Sequence, residues 1–270
     1  MKMIIDMHTH TNFSPDSDEA IETILEAAHR KGVVFYGLSD HFEYGLEDSA
    51  FNPSPEKVET YYHQARHLQE DYEGCMNVLV GAEFGFTRDE KAQERIRQTY
   101  EKYHLDYVVN SVHDLDGEDF YFKRMFTDDN KTEMYNGYLQ FIRDSLDAPY
   151  PYDIVGHIGY ATRYAPYADR RLFVEEFFPL IDDILQTIIK KDKILEINSS
   201  NKGGVETFLP ERGILERYFA LGGRKICFGS DTHNVERIAE NYEKACALLK
   251  EIGFTYLTLS CKGEEIKIEL

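Results

Sequence analysis

Short apolar runs rich in β-branched residues alternate along this chain with longer segments in which apolar residues recur every three or four positions. The first rhythm predicts buried strands and the second amphipathic helices. Strands are expected over 2–7, 33–38, 77–85, 106–110, 152–156, 194–198 and 225–229. A helix should follow each: from N-cap chemistry at Asp16 to Asp18 down to a stop at Gly32, from Pro53 and Pro55 to about Tyr72, and over 91–103, 133–146, 172–190, 211–221 and 235–252. The remaining tail, 254–259 and 265–270, is expected to pair as a short edge hairpin. Seven βα units imply an α/β protein with a parallel sheet, either a TIM-like barrel or an open doubly wound sheet. The absence of a repeat, low-complexity tract or Gly/Pro linker favours one domain over 1–270.

The polar residues favour the barrel. Six segments lie at or just after predicted strand ends: Asp6-Met7-His8-Thr9-His10, Asp40-His41, Gly81-Ala82-Glu83, Ser111-Val112-His113-Asp114, Gly156-His157 and Ser230-Asp231-Thr232-His233. Barrel enzymes gather their chemistry at that end of the strands. His8 and His10, two apart, point to one side of an extended chain, and Asp231 and His233 repeat the arrangement. Imidazoles and carboxylates without nearby thiolates suit zinc, manganese or iron in a catalytic rather than a structural site. Six histidines joined by Glu83, Asp231 and Asp16 exceed the needs of one ion, which points to a multinuclear centre with Glu83 as the natural bridge. His63 and His67, four apart on a polar helix, lack a third ligand. The Gly203-Gly204 and Gly222-Gly223 pairs read as turns, and the long segment 111–131 is expected to be a lid.

Charge narrows the partners. With 30 basic and 49 acidic residues the net charge is −19, so the surface repels nucleic-acid phosphates and anionic lipid. A phosphorylated small molecule would need positive charge supplied locally, by arginine or by bound metal. The four cysteines form no CxxC pair, which suits a reducing cytoplasm, and neither a signal peptide nor a membrane-spanning run is expected. No GxSxG elbow, P-loop or GxGxxG context occurs.

Taken in order, DxHxH at 6–10, SDH at 39–41, GxE at 81–83, SxH at 111–113, GH at 156–157 and SDTH at 230–233 resemble the PHP (polymerase and histidinol phosphatase) family over most of the chain. The resemblance implies a distorted (β/α)7 barrel with three divalent ions. It assigns one ion to His8, His10, Glu83 and Asp231, a second to Glu83, His113 and His157, and a third to Asp16, His41 and His233. Asp16 departs from the histidine that some members carry, which shifts preference toward harder ions. A chain of this size containing MxIDxHTHTxxSPD is similar to the monofunctional histidinol-phosphate phosphatases of histidine biosynthesis.

The implied reaction is hydrolysis of L-histidinol phosphate, with Glu83 beside the attacking water and Asp231 or His233 as proton donor to the leaving alkoxide. Arg163 is expected to clamp the phosphate, and Asn198 to Lys202 to add polar contacts. Acids and aromatics in 114–122, or Glu43, are the candidates for reading the substrate's ammonium and imidazole. The rival readings are a phosphoesterase for a nucleotide or sugar phosphate, and a noncatalytic metal-binding protein.

Overall fold

The computed structural model describes residues 3–46, 49–201 and 206–270; Lys2, Lys202 and the Gly203-Gly204 pair of the expectations above lie outside these. Seven strands, β1 (Ile4–Asp6), β2 (Val33–Leu38), β3 (Asn77–Gly85), β4 (Tyr107–Ser111), β5 (Ile154–Val155), β6 (Ile194–Asn198) and β7 (Ile226–Gly229), lie side by side in chain order, each parallel to the next. The helix after each is α1 (Ile21–Arg30), α2 (Pro55–Asp71), α3 (Glu90–Tyr103), α4 (Lys131–Ser145), α5 (Leu180–Lys190), α6 (Arg212–Ala220) and α7 (Tyr242–Ile252). The strands read as continuous apolar runs because both faces are covered, one by the helices and one by the barrel interior.

The barrel is nearly closed. Just past β1 and β7 the backbone bridges the gap: Met7 N donates to Phe228 O at 2.9 Å, Asp231 N to His8 O at 2.7 Å and His10 N to Thr232 O at 2.9 Å. The Asp6 carboxylate reinforces this seam by accepting from Ser230 N (2.8 Å), Ser230 Oγ (2.6 Å) and Ala239 N (2.8 Å). Asp40 does the same between the β1 and β2 loops, accepting from Thr11 N (2.8 Å) and Ser14 Oγ (2.7 Å). The two aspartates of the strand-end motifs are therefore scaffold.

Local rules explain some helix ends. Ser54 caps α2 by accepting from Lys57 N at 3.2 Å with Pro55 in the first turn. Gly32, at φ 75°, takes the chain out of α1 where a side chain would be strained.

Three expectations need correction. Asp16 to Asp18 do not cap α1, which starts after Ala20 with no side-chain cap; Asp16 faces His233 instead. The single helix over 172–190 is broken into a turn, Val174–Phe177, and α5, because Pro179 has no N–H and forces Phe178 to an extended ψ of 131°. The helix over 235–252 is a short 3-10 turn, Val235–Arg237, followed by α7. Between them Ala239 and Asn241 adopt φ of 54° and 61°, with the Ala239 N–H drawn to Asp6 at the barrel seam. The tail pairs with itself as expected, β8 (Tyr256–Cys261) antiparallel to β9 (Glu264–Glu269), as a hairpin apart from the barrel sheet. Through Lys262 N to Asp106 O (2.8 Å) and Ser260 Oγ to Asp153 (2.6 Å) it sits beneath the N-terminal ends of β4 and β5.

Candidate metal centre

The opposite end of the barrel carries the chemistry. β3, the longest barrel strand, delivers Glu83, fully buried, to the centre of a bowl of histidines. On one side His8 Nε2 stands 3.2 Å and His10 Nε2 3.7 Å from Glu83 Oε2, and His10 Nε2 is 3.2 Å from Asp231 Oδ1. On the other, His157 Nε2 and His113 Nε2 lie 2.8 and 3.1 Å from Glu83 Oε1 and 3.3 Å from each other. Toward the opening, His41 Nδ1 is 2.8 Å from Glu83 Oε2, its Nε2 is 3.9 Å from Asp16, and His233 Nε2 is 3.0 Å from Asp16. All nine residues expected as ligands therefore converge. His63 and His67 stay apart, each exposed beside an acid of its own helix.

The donor set fits cations. His8 Nε2, His10 Nε2, His41 Nδ1, His233 Nε2 and Glu83 Oε2 are buried with no hydrogen-bond partner. Each orphaned polar atom costs on the order of 1–3 kcal/mol, so several aimed at one another form a poor interior and a good set of ligands. Three such groups are His8 with His10 and Glu83, Glu83 with His113 and His157, and His10 with His41 and His233, ligand atoms in each lying within 4.8 Å of one another. A fourth is His41 with Glu43 and His113.

Protonation across the bowl is mixed. Burial alone would raise the Glu83 carboxyl, but His8, His113 and His41 hold it well below the usual range. Burial, with His41 and His233 nearby, pushes His10 far down, toward its neutral form. Asp231, buried beside His10 and Arg163, stays ionised, its carboxyl held well below the usual range despite that burial. His8, His41 and His113 are pushed well up, despite their burial, by neighbouring carboxylates, Glu83 among them, so an ion would displace their protons and leave the ionised carboxylates and neutral imidazoles that bind metal.

Arg163 is a buried residue of the site wall. Its Nη2 donates to Asn198 Oδ1 at 3.0 Å and Asp231 Oδ2 at 3.1 Å. Asn198 is itself fully buried, and its Nδ2 donates to Glu196 Oε1 at 3.1 Å, so any link from Asn198 to a substrate runs through Arg163. A cavity of about 970 Å³ adjoins the bowl at His41 and His113. Asp16, Glu118, Asp119, Phe51, Tyr121, Phe122, Tyr160 and Tyr164 line it, with Arg124 as a cation in its wall. The segment expected as a lid supplies one side of this wall, through the pair Asp114–Leu115 with Glu118–Asp119 and the turn Phe120–Phe122.

Two carboxylates behind the histidines were not singled out as supports by sequence. Glu43 Oε1 lies 2.7 Å from His113 Nδ1, although the sequence suggested it as a reader of substrate. Glu196 Oε1 lies 2.7 Å from His8 Nδ1. An acid inside the otherwise apolar run of β6 was the available signal for Glu196.

Comparison with known proteins agrees with this geometry. The PHP domain model matches residues 6–200. A probable histidinol-phosphatase of Clostridium acetobutylicum is 31% identical over 247 residues, covering 90% of this chain and 91% of its own. The histidinol-phosphatase of Lactococcus lactis subsp. lactis is 28% identical over 256 residues, 93% of this chain and 91% of its own. Among solved structures, the histidinol phosphate phosphatase of Lactococcus lactis, crystallised with zinc, L-histidinol and phosphate, superposes with a TM-score of 0.85 at 25% identity, covering 99% of this chain and all of that one.

Proposed function

The chain belongs to the PHP domain family, and from that premise we propose that it is a metal-dependent phosphomonoesterase hydrolysing L-histidinol phosphate to L-histidinol and inorganic phosphate. The observation that carries the reading is the bowl of unpartnered ligand atoms around Glu83 opening onto an acidic, aromatic cavity. Such a substrate presents a dianion at one end and an ammonium and imidazole at the other, matching the two halves of the site.

In this reading three divalent ions, zinc, manganese or iron, are held by His8, His10, Glu83 and Asp231; by Glu83, His113 and His157; and by Asp16, His41 and His233. Bound there, they supply the Lewis acidity and water activation that phosphomonoester hydrolysis, very slow unaided, requires. Arg163, aimed by Asn198 and Asp231, adds a fixed positive charge for the phosphoryl oxygens. Glu83 is the shared carboxylate, and Asp231, ionised at rest, or His233 would return to the leaving alkoxide a proton first taken from the attacking water. Glu118 and Asp119 attract the substrate's cationic end while Tyr121, Tyr160 and Tyr164 pack its ring. Among the described residues no helix is long and apolar enough to cross a membrane. A cytoplasmic place and a small-molecule rather than nucleic-acid partner complete the proposal, as does a single domain over 1–270.

Phosphate release by the metal-reconstituted protein tests it, with histidinol phosphate measured beside nucleotide and sugar phosphates. A kcat/KM for histidinol phosphate about 100-fold or more above the panel is expected. Similar values across the panel would move the assignment to small phosphoesters in general. No turnover by fully metallated protein would leave a noncatalytic metal-binding role.

A further inference from the structure

Glu196 is the one carboxylate of β6, and it is almost wholly buried where solvent cannot pay for its charge. Its two oxygens meet three donors. Oε1 lies 2.7 Å from His8 Nδ1 and 3.1 Å from Asn198 Nδ2, and Oε2 accepts from the His157 backbone N–H at 2.6 Å. Room for it is made by a glycine: a Cβ on Gly229 would fall 2.1 Å from Glu196 Oε1 and 2.5 Å from His8 Cβ. The same construction recurs across the bowl, where Glu43 backs His113 at 2.7 Å and a Cβ on Gly85 would fall 1.5 Å from Glu43 Oε2.

From this geometry we infer that Glu196 is a positioning residue: seated against Gly229, it fixes His8 with the proton on Nδ1 and Nε2 free to face Glu83, and pins His157 in register with it. The inference rests on the reading that the bowl holds metal, and is independent of which phosphoester is hydrolysed. Its physical basis is that a ligating imidazole needs its second nitrogen occupied by an acceptor, which sets the tautomer and the ring orientation. Glu196 does this for one ligand of the His8, His10 and Glu83 group and, through the backbone, for one of the Glu83, His113 and His157 group. An amide cannot serve both. In Glu196→Gln the NH2 meets either the His157 N–H, two donors face to face, or His8 Nδ1. In the latter case His8 must carry its proton on Nε2, where it blocks the ligand position.

The test uses the full chain with cobalt(II) or zinc and reads binding rather than turnover. Glu196→Gln should weaken the ions about 10–100-fold in chelator competition, shift the visible spectrum of the cobalt protein, and leave the circular dichroism of the metal-free form unchanged. Gly229→Ala, which leaves the carboxylate in place but removes its seat, should reproduce the spectral shift. In the unmutated zinc protein, long-range 1H–15N correlations should place the His8 proton on Nδ1. That measurement needs no variant and holds even should both substitutions fail to fold. A His8 proton on Nε2, or two folded variants that bind cobalt as tightly and with the same spectrum as the parent, overturns the inference. A parent protein that binds no cobalt or zinc instead overturns the metal reading beneath it, and one that binds metal but spares histidinol phosphate overturns only the substrate.

Discussion

The two ends of the barrel use the same kinds of residue to opposite ends. At the N-terminal end Asp106 accepts from Arg66 Nη1 (2.8 Å), Gln69 Nε2 (2.7 Å) and Val80 N (2.8 Å), and Asp153 from Val108 N (2.9 Å) and Ser260 Oγ (2.6 Å). Those carboxylates have enough donors and tie strands, α2 and the β8–β9 hairpin together. At the C-terminal end Glu83 faces five histidines, and six side-chain atoms of the bowl residues lack a hydrogen-bond partner. A satisfied buried charge is architecture, whereas an unsatisfied set is a site that a ligand completes.

The contrast breaks first on metal. Exhaustive chelation should abolish phosphate release and lower the unfolding temperature, both recovering when zinc or manganese is returned. An ion at 100 times its Kd contributes about 2.7 kcal/mol. Thermal unfolding with and without chelator reads this directly, and an unchanged transition would show that the bowl holds itself together without ions.

At the other end Asp106→Asn should cost about 2–3 kcal/mol in urea unfolding, since Arg66, Gln69 and the Val80 N–H lose a charged acceptor. The kcat/KM of the folded fraction should stay at the parent value. A large loss of activity at unchanged stability would erase the distinction between the ends.

Arg163→Ala should lower kcat/KM for the phosphomonoester about 10–100-fold, corresponding to about 1.4–2.8 kcal/mol, while the metal content stays at the parent level. Loss of metal together with activity would mean that Arg163 holds Asp231 in place more than it binds phosphate.

The smallest effect lies outside the bowl, on the loop that follows β6. Glu211, buried at the start of α6 and facing Glu206, has its carboxyl pushed up to about 7 from an ordinary 4.5, mainly by burial. Its folded form binds the proton more tightly than the unfolded form. The contribution is therefore fully present below about 4.5 and lost as pH rises through about 7. Stability should fall between pH 5 and 8 by about 1 kcal/mol after allowing for partial solvent screening, and Glu211→Gln should flatten that slope. Parallel slopes in the two proteins would locate the titration elsewhere.

Much of the site was readable from sequence because its signals are local. His8 and His10 are two apart and follow an apolar strand run, so alternation alone points that pair to one side; Asp231, at φ 51°, leaves the extended path, and its meeting with His10 comes from the fold. The order of βα units likewise carried the barrel, and the periodicity of β2, β3 and β6 matched their observed limits. The break at Pro179 was a local signal, whereas two other helix limits failed where a local preference lost to a distant partner. Asp16 left its place as a cap for His233, and the Ala239 N–H left a helical path for Asp6, more than 200 residues away in sequence.

The sequence alone determined the repeating βα rhythm, the seven strands it builds and the polar residues that stand at their C-terminal ends. These follow from spacing along one chain and from which side of a strand a residue takes. Only the tertiary structure decided that Asn198 is buried behind Arg163 and that Glu196 backs a histidine 188 residues away. Whether a carboxylate is a ligand, a support or a brace depends on how many donors surround it once water is excluded. Those donors come from strands that closure of the barrel brings together.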